Sequence, residues 1–229
     1  WHAPQPLTRA WCLWELHCTV ETASSFSILL GPAEKKAFRT DLAENHGTSA
    51  IAALSKIDVR KAQSGDPNDL MMILGAVGAT EGGAEALNER AVRQLREMFV
   101  ANEARKWVTE LRSAHGSLRS ADSSLGTVHA LNATQAVAQL LGNKLGHWEE
   151  AKELLVDVVQ GQQQLQGANA RDTLIANTVL ACAMKETGQV AEAKALLEEL
   201  LPKVGEGFGP ESELLLNTQQ DLASILYCL

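Results

Sequence analysis

Gly146-His-Trp-Glu-Glu-Ala151 recurs as Gly188-Gln-Val-Ala-Glu-Ala193, 42 residues further along the chain. The same displacement carries Gly167 onto Gly209 and Leu180-Ala181 onto Leu222-Ala223. Four markers at one period define an internal repeat. A period of this length suits one helical hairpin, which buries its apolar face only against a neighbouring copy. The second half of the chain is thereby restricted to a stack of such hairpins.

The residues within a unit fit that restriction. Asp172 caps a helix running through Thr187, with Leu174, Leu180, Ala181 and Met184 apolar. Gly188 allows the tight turn that ends it. Residues 190–201 form the return helix, in which Ala193 permits close packing and Leu196, Leu197 and Leu200 face inward. Pro202 and the stretch from Gly205 to Pro210 then break the chain. The preceding unit runs over 128–144 and 148–164, with Leu155 and Val158 inside. Residues 211–229 are the first helix of a third unit, so two and a half units are present over 125–229. The last helix closes on the apolar run Ile225-Leu226-Tyr227-Cys228-Leu229, from which an array continuing past Leu229 is expected.

These positions resemble the tetratricopeptide repeat (TPR) of the 42-residue kinesin light chain type. Leu180, Ala181, Gly188, Val190 and Ala193 fill its characteristic places, as do Gly146, Trp148 and Ala151. The first unit departs from the pattern, with Ala138-Gln139 for the Leu-Ala pair and Gly142 where a large residue belongs. Thr178 and Val179 stand where such repeats often carry paired asparagines. The resemblance implies an α-solenoid whose first helices line a concave, partner-binding surface.

The first half reads differently. Pro4 and Pro6 give an extended lead-in, and Thr8 caps a helix to about Ala23. Trp11, Trp14 and Cys18 form one apolar stripe on it, and Leu13, Leu16 and Val20 another. A helix apolar nearly all round is a buried one, expected here against a sheet. Residues 24–30 alternate through Phe26, Ile28 and Leu30 as a strand does, and 33–45 form an amphipathic helix. A short helix and then a strand at 55–59 are expected within 51–59. Asp66-Pro67-Asn68-Asp69 starts a helix with a cap, an N1 proline and an acidic first turn. Gly78, Gly82 and Gly83 mark a loop, and 84–113 reads as a long polar helix joining the halves. The segment Leu7-Thr-Arg-Ala-Trp-Cys-Leu-Trp-Glu-Leu16 resembles the Trp-Cys-Leu-x-Glu-Leu helix of Toll/interleukin-1 receptor (TIR) domains. It is similar, too, to the TIR-like segment preceding kinesin-light-chain-type repeats in algal and other protist proteins. Ile57-Asp58-Val59 and the helix after Asp66 fit that arrangement. The expected organisation is an incomplete α/β TIR-like segment at 1–83, a connecting helix and linker at 84–124, and repeats at 125–229, in a mostly α fold.

The resemblance maps the catalytic glutamate of NAD-cleaving TIR domains onto Glu15. Enclosure of a carboxylate by apolar groups raises its pKa and is one way to poise an acid or base. The strands and loops that complete the family's nucleotide pocket lie upstream of this motif and are missing, so the pairing of Glu15 with Arg9 or a backbone amide is the commoner alternative.

Composition narrows the remaining functions. Net charge is -8, and residues 116–229 carry 7 Lys/Arg against 14 Asp/Glu. Such a surface repels phosphate backbones and favours a basic peptide over nucleic acid. The longest apolar run, 70–79, is about half a membrane span, so no membrane partner is expected. Cys12, Cys18, Cys182 and Cys228 lack CxxC spacing and suit reduced, buried thiols, hence a cytoplasmic location. Cys12, Glu15, His17 and Cys18 point in different directions around a helix and do not read as a metal site. No phosphate loop, GxSxG, HExxH or GxGxxG pattern occurs, and no cofactor is implied. Arg90, Arg93 and Arg96 share a helix side, reading as a solvated face or, less often, an anion site.

The function expected is protein–protein interaction without catalysis. The repeat register places Asn143, Lys144, Thr178, Cys182, Lys185, Glu186, Asn217, Gln220 and Tyr227 on the concave face. The alternatives are NAD hydrolysis through Glu15 and a purely structural spacer.

Overall fold

The computed structural model describes residues 5–22, 24, 28–117 and 124–228. Among these the chain is mostly helical, with no strand and one isolated parallel bridge between Arg9 and Gln63. It divides into two compact units, 1–106 and 107–229.

Unit 1 contains α1 (Ala10–Glu21), α2 (Pro32–Asn45), α3 (Thr48–Leu54), α4 (Pro67–Ala79) and α5 (Gly83–Leu95). A π turn at Arg96–Ala101 leads from α5 into α6 (Asn102–Ser117). The sheet expected under α1 is absent from the described residues. Instead, α1 packs on α4 and α5 through Ala10, Leu13 and Leu16, while Trp11, Trp14 and Cys18 stay half-exposed. The Trp11 indole N–H donates to Asp69 at 2.9 Å, tying α1 to the first turn of α4. The extended lead-in is also corrected, because Gln5–Thr8 is a 3-10 turn, a conformation that proline's fixed φ allows.

The strand expected at 55–59 is a turn followed by a 3-10 helix at Val59–Lys61. Its backbone groups go to side chains, not to a ladder. Asp58 accepts from the Arg60 backbone N–H at 3.1 Å, and Val59 N–H donates to Asn88 Oδ1 at 2.9 Å. Phe26, on which the strand at 24–30 rests, lies outside the described residues; Ser24 and 28–30 belong to no element. Asp66 does cap α4, accepting from Asn68 N–H at 2.8 Å, with Pro67 at the first position.

The helix read as a polar connector belongs to the core of unit 1 as far as Lys106. Leu87, Ala91, Leu95 and Phe99 are buried at helical spacing, and the Phe99 ring lies 5.3 Å from that of Phe38. A charged outer face hid this amphipathic pattern. Most of the linker, 118–123, lies outside the described residues.

Unit 2 holds α7 (Ser124–Gln139) with a π turn at Leu140–Lys144, then α8 (Trp148–Gln166), α9 (Arg171–Glu186), α10 (Val190–Phe208) and α11 (Glu213–Cys228). The bounds of α8 and α10 differ by 42 residues at both ends, as do those of α9 and α11. Each helix packs on the next, and α9 touches both α7 and α11. The pairs are antiparallel. Asn132, ten residues ahead of Gly142, accepts from Gln162, late in α8, while Gly142 meets Trp148 at the start of α8. Gly146 and Gly188 carry φ of 79° and 86°, the left-handed turn geometry that a Cβ disfavours. This geometry is consistent with an α-solenoid-like architecture.

Two local readings change. Asp172 lies in the first turn of α9, whose N-cap is Ala170, and accepts from Asn132 and Gln166 at 3.5 Å. Helix α10 passes through Pro202 to Phe208, because Val204 is buried and Phe208 packs on the same cluster as Leu197 and Leu200.

The π turn explains the irregular first unit. It inserts one extra residue, so Val137-Ala138, not Ala138-Gln139, corresponds to Leu180-Ala181; all four are buried. Gly142 then accommodates Trp148, where the next unit has Met184 and Val190.

Candidate functional site

The first helices of unit 2 bound a groove of about 330 Å³. Ile175, Thr178, Val179 and Cys182 of α9 line it at i, i+3, i+4 and i+7, one face of a helix. Asn217, Gln220 and Asp221 are the equivalents on α11 of Ile175, Thr178 and Val179, and Leu214 extends that wall. Ala138, Gln139 and Asn143 come from α7 and its π turn, with Trp148 and Leu155 from α8. Repetition therefore builds the groove, since the same face of successive hairpins is laid side by side.

Of the residues expected on the concave face, Asn143, Thr178, Cys182, Asn217 and Gln220 line this groove. Asn143, Asn217 and Gln220 are exposed. Thr178 is different: it is 5% exposed, and its hydroxyl donates to the Leu174 carbonyl at 3.1 Å, so it forms wall and offers no free polar group. Lys144, Lys185, Glu186 and Tyr227 are not among the lining residues. Lys185 pairs with Glu186 at 3.1 Å and reaches Ser224 Oγ at 3.3 Å, and Tyr227 is 94% exposed.

Sequence reasoning missed Gln139, Trp148 and Asp221. With the extra residue of the π turn counted, Gln139 occupies the repeat position of Cys182; an unbroken 42-residue register puts Leu140 there. Asp221 was legible as the i+4 completion of a face already holding Asn217. The amide oxygen of Gln139 is shielded from solvent and accepts no hydrogen bond. An orphaned acceptor of this kind costs about 1–3 kcal/mol.

Cys182 is the titratable group most altered by this setting. Burial pushes its thiol up to about 12, and the adjacent Asp221 carboxylate adds to the rise by repelling the thiolate and accepting the S–H. Lys185 opposes the rise and Glu186 adds to it. A thiol held protonated is a poor nucleophile. Iodoacetamide at pH 8 is therefore expected to modify Cys182 at least about a hundredfold more slowly in the folded chain than in urea. Peptide-level mass spectrometry reads this, and equal rates would place the thiol in solvent.

The residues singled out in unit 1 do not converge on a comparable site. Glu15 is exposed on α1, and the apolar enclosure expected of it is absent. Cys12 and Cys18 are half-buried and His17 is buried, and no group of three or more His, Cys, Asp or Glu that could hold a metal occurs among the described residues. Arg90 pairs with Glu21 at 2.7 Å, and Arg96 donates to Ser55 Oγ at 2.9 Å, so the arginine row is partly spent on internal ties. Asp58 accepts from Arg60 through both oxygens, at 2.8 and 3.1 Å, and from Asn88 at 2.9 Å. The Arg60 hydrogen bonds, with help from Asn88, hold the Asp58 carboxyl well below the usual range, a knot that fixes the 57–61 turn on α5. No single helix among the described residues is long and apolar enough to cross a membrane.

No family model matches the chain, and neither a curated protein nor a solved structure does.

Proposed function

We propose that this chain is a cytoplasmic, non-catalytic protein-interaction scaffold, whose unit 2 is a short TPR array of the kinesin light chain type following a TIR-like segment. The partner is a peptide segment or protein surface laid across the first helices of the hairpins. The groove over α7, α9 and α11 carries this reading, because it joins apolar wall to exposed amides that can bond an extended backbone. The alternative of NAD cleavage rests on the motif around Glu15, and that side chain's exposure favours a surface role for it.

Peptides selected from a random displayed library on the full chain are expected to bind at this groove. Asn217→Ala with Gln220→Ala should weaken them by at least about fivefold with an unchanged far-UV circular dichroism spectrum, since both side chains are exposed and truncating an interface contact costs on the order of 1 kcal/mol. Undiminished affinity in that double variant would move the binding surface elsewhere.

A further inference from the structure

We propose that the groove of unit 2 selects a partner segment by one arginine or lysine side chain, whose cation is received by the Asp221 carboxylate. This rests on the peptide-binding reading and specifies the chemistry of the peptide.

The lining carries a single charged group. Asp221 brings a carboxylate to the same lining, and no cation pairs with it among the described residues. Lys185, one turn beyond Cys182, is engaged by Glu186 at 3.1 Å and Ser224 at 3.3 Å. No basic side chain lines the groove, and the amides of Gln139, Asn143, Asn217 and Gln220 each add a carbonyl and an NH2 group. A guanidinium or ammonium supplies donors only, and so neutralises Asp221 through charge-assisted hydrogen bonds. A glutamate would meet Asp221 with like charge, and an apolar side chain would leave that carboxylate without a counter-ion.

The walls suit the rest of such a side chain. Ile175, Val179 and Leu214 offer apolar surface to its methylene stem, and Trp148 an aromatic ring to its cation. The volume, about 330 Å³, is at the low end for binding pockets and suits one or two side chains rather than a large ligand. The excess of 14 acidic over 7 basic residues across 116–229 draws a basic segment towards this unit.

The test uses the full chain, labelled with ¹⁵N, and capped heptapeptides of alanine and leucine carrying a central arginine, glutamine or glutamate. The side-chain amide signals of Gln139, Asn143, Asn217 and Gln220 report on the groove directly. The arginine peptide should shift them with a Kd at least about tenfold below that of the glutamate peptide, and Asp221→Asn should abolish most of that preference. Gln139→Glu, which adds a second carboxylate, should sharpen it, and covers the case in which Asp221→Asn disturbs the fold. Equal shifts from all three peptides, or an arginine preference untouched by either variant, would overturn the cation seat while leaving peptide binding in place. Groove amides that no peptide moves would overturn both.

Discussion

Replacing Gly142 with methionine is expected to cost unit 2 about 3 kcal/mol, and adding Trp148→Val should recover most of the loss. A Cβ at Gly142 would lie 2.5 and 2.6 Å from two ring carbons of Trp148. An indole at the first turn of α8 cannot swing aside as a flexible chain end does. Methionine gains about 1 kcal/mol of helix propensity over glycine, so the clash has to exceed that gain for the sign to hold. The next unit shows how the space is otherwise filled, with Met184 and Val190 packed on the cluster of Leu174, Ala181 and Leu197. Bulk has moved from the first helix to the second. Trp148→Val alone should cost about 2–3 kcal/mol by leaving a cavity. The double variant should be more stable than the sum of the two losses by about 2 kcal/mol or more. Urea unfolding of the four proteins measures this cycle. Strictly additive losses would mean that positions 142 and 148 do not pack against each other.

That pair shows what could be read from the residues and what could not. Period 42 fixed the hairpins because Gly146 and Gly188 need positive φ, and Ala151 and Ala193 are fully buried where helices approach closely. Both requirements are local and repeat exactly with the chain. The π turn at 140–144 leaves no comparable mark. It shows only as a one-residue slip between Val137-Ala138 and Leu180-Ala181, and without that slip Gln139 lands one place out of the groove's lining. The face of α9 and α11 was partly legible, since Thr178, Cys182, Asn217 and Gln220 follow from helical spacing. Whether a hydroxyl on that face is free depends on rotamer, and Thr178 spends its own on Leu174. In unit 1 a strand was expected at 55–59, but a strand needs a partner, and Asp58 and Asn88 take up the backbone groups first. Helix starts such as Asp66-Pro67 were readable because the cap is made by adjacent residues.

Pro202→Gln should stabilise unit 2 by about 2 kcal/mol and raise its melting temperature by roughly 5–10 °C. Helix α10 continues for six residues past this proline, through Gly205 and Gly207. Interior proline costs a helix about 3 kcal/mol and each glycine about 1, so the local sequence opposes what forms. Opposing it are the burial of Val204 and the packing of Phe208, whose ring lies 5.4 Å from the Arg171 guanidinium carbon. Burying a valine or phenylalanine contributes about 1.5–3 kcal/mol, enough to keep the helix but with little margin. Its sibling α8 has no proline and a single glycine, Gly161, in this stretch, carrying Gln160, Gln163 and Leu165 at the places of Pro202, Gly205 and Gly207. Glutamine at 202 returns the missing N–H to the Glu198 carbonyl, and the gain is reduced by about 0.4–1 kcal/mol because proline also stiffens the unfolded chain. The neighbouring glycines sharpen the test. Gly207→Ala should add about 0.5–1 kcal/mol, since nothing lies within 4 Å of the new Cβ and the site is helical. Gly209→Ala, two residues later, should destabilise by about 1 kcal/mol or more, because φ there is 82°. Thermal unfolding that showed the two alanines acting alike, or Pro202→Gln lowering the transition, would mean that α10 ends before the proline after all.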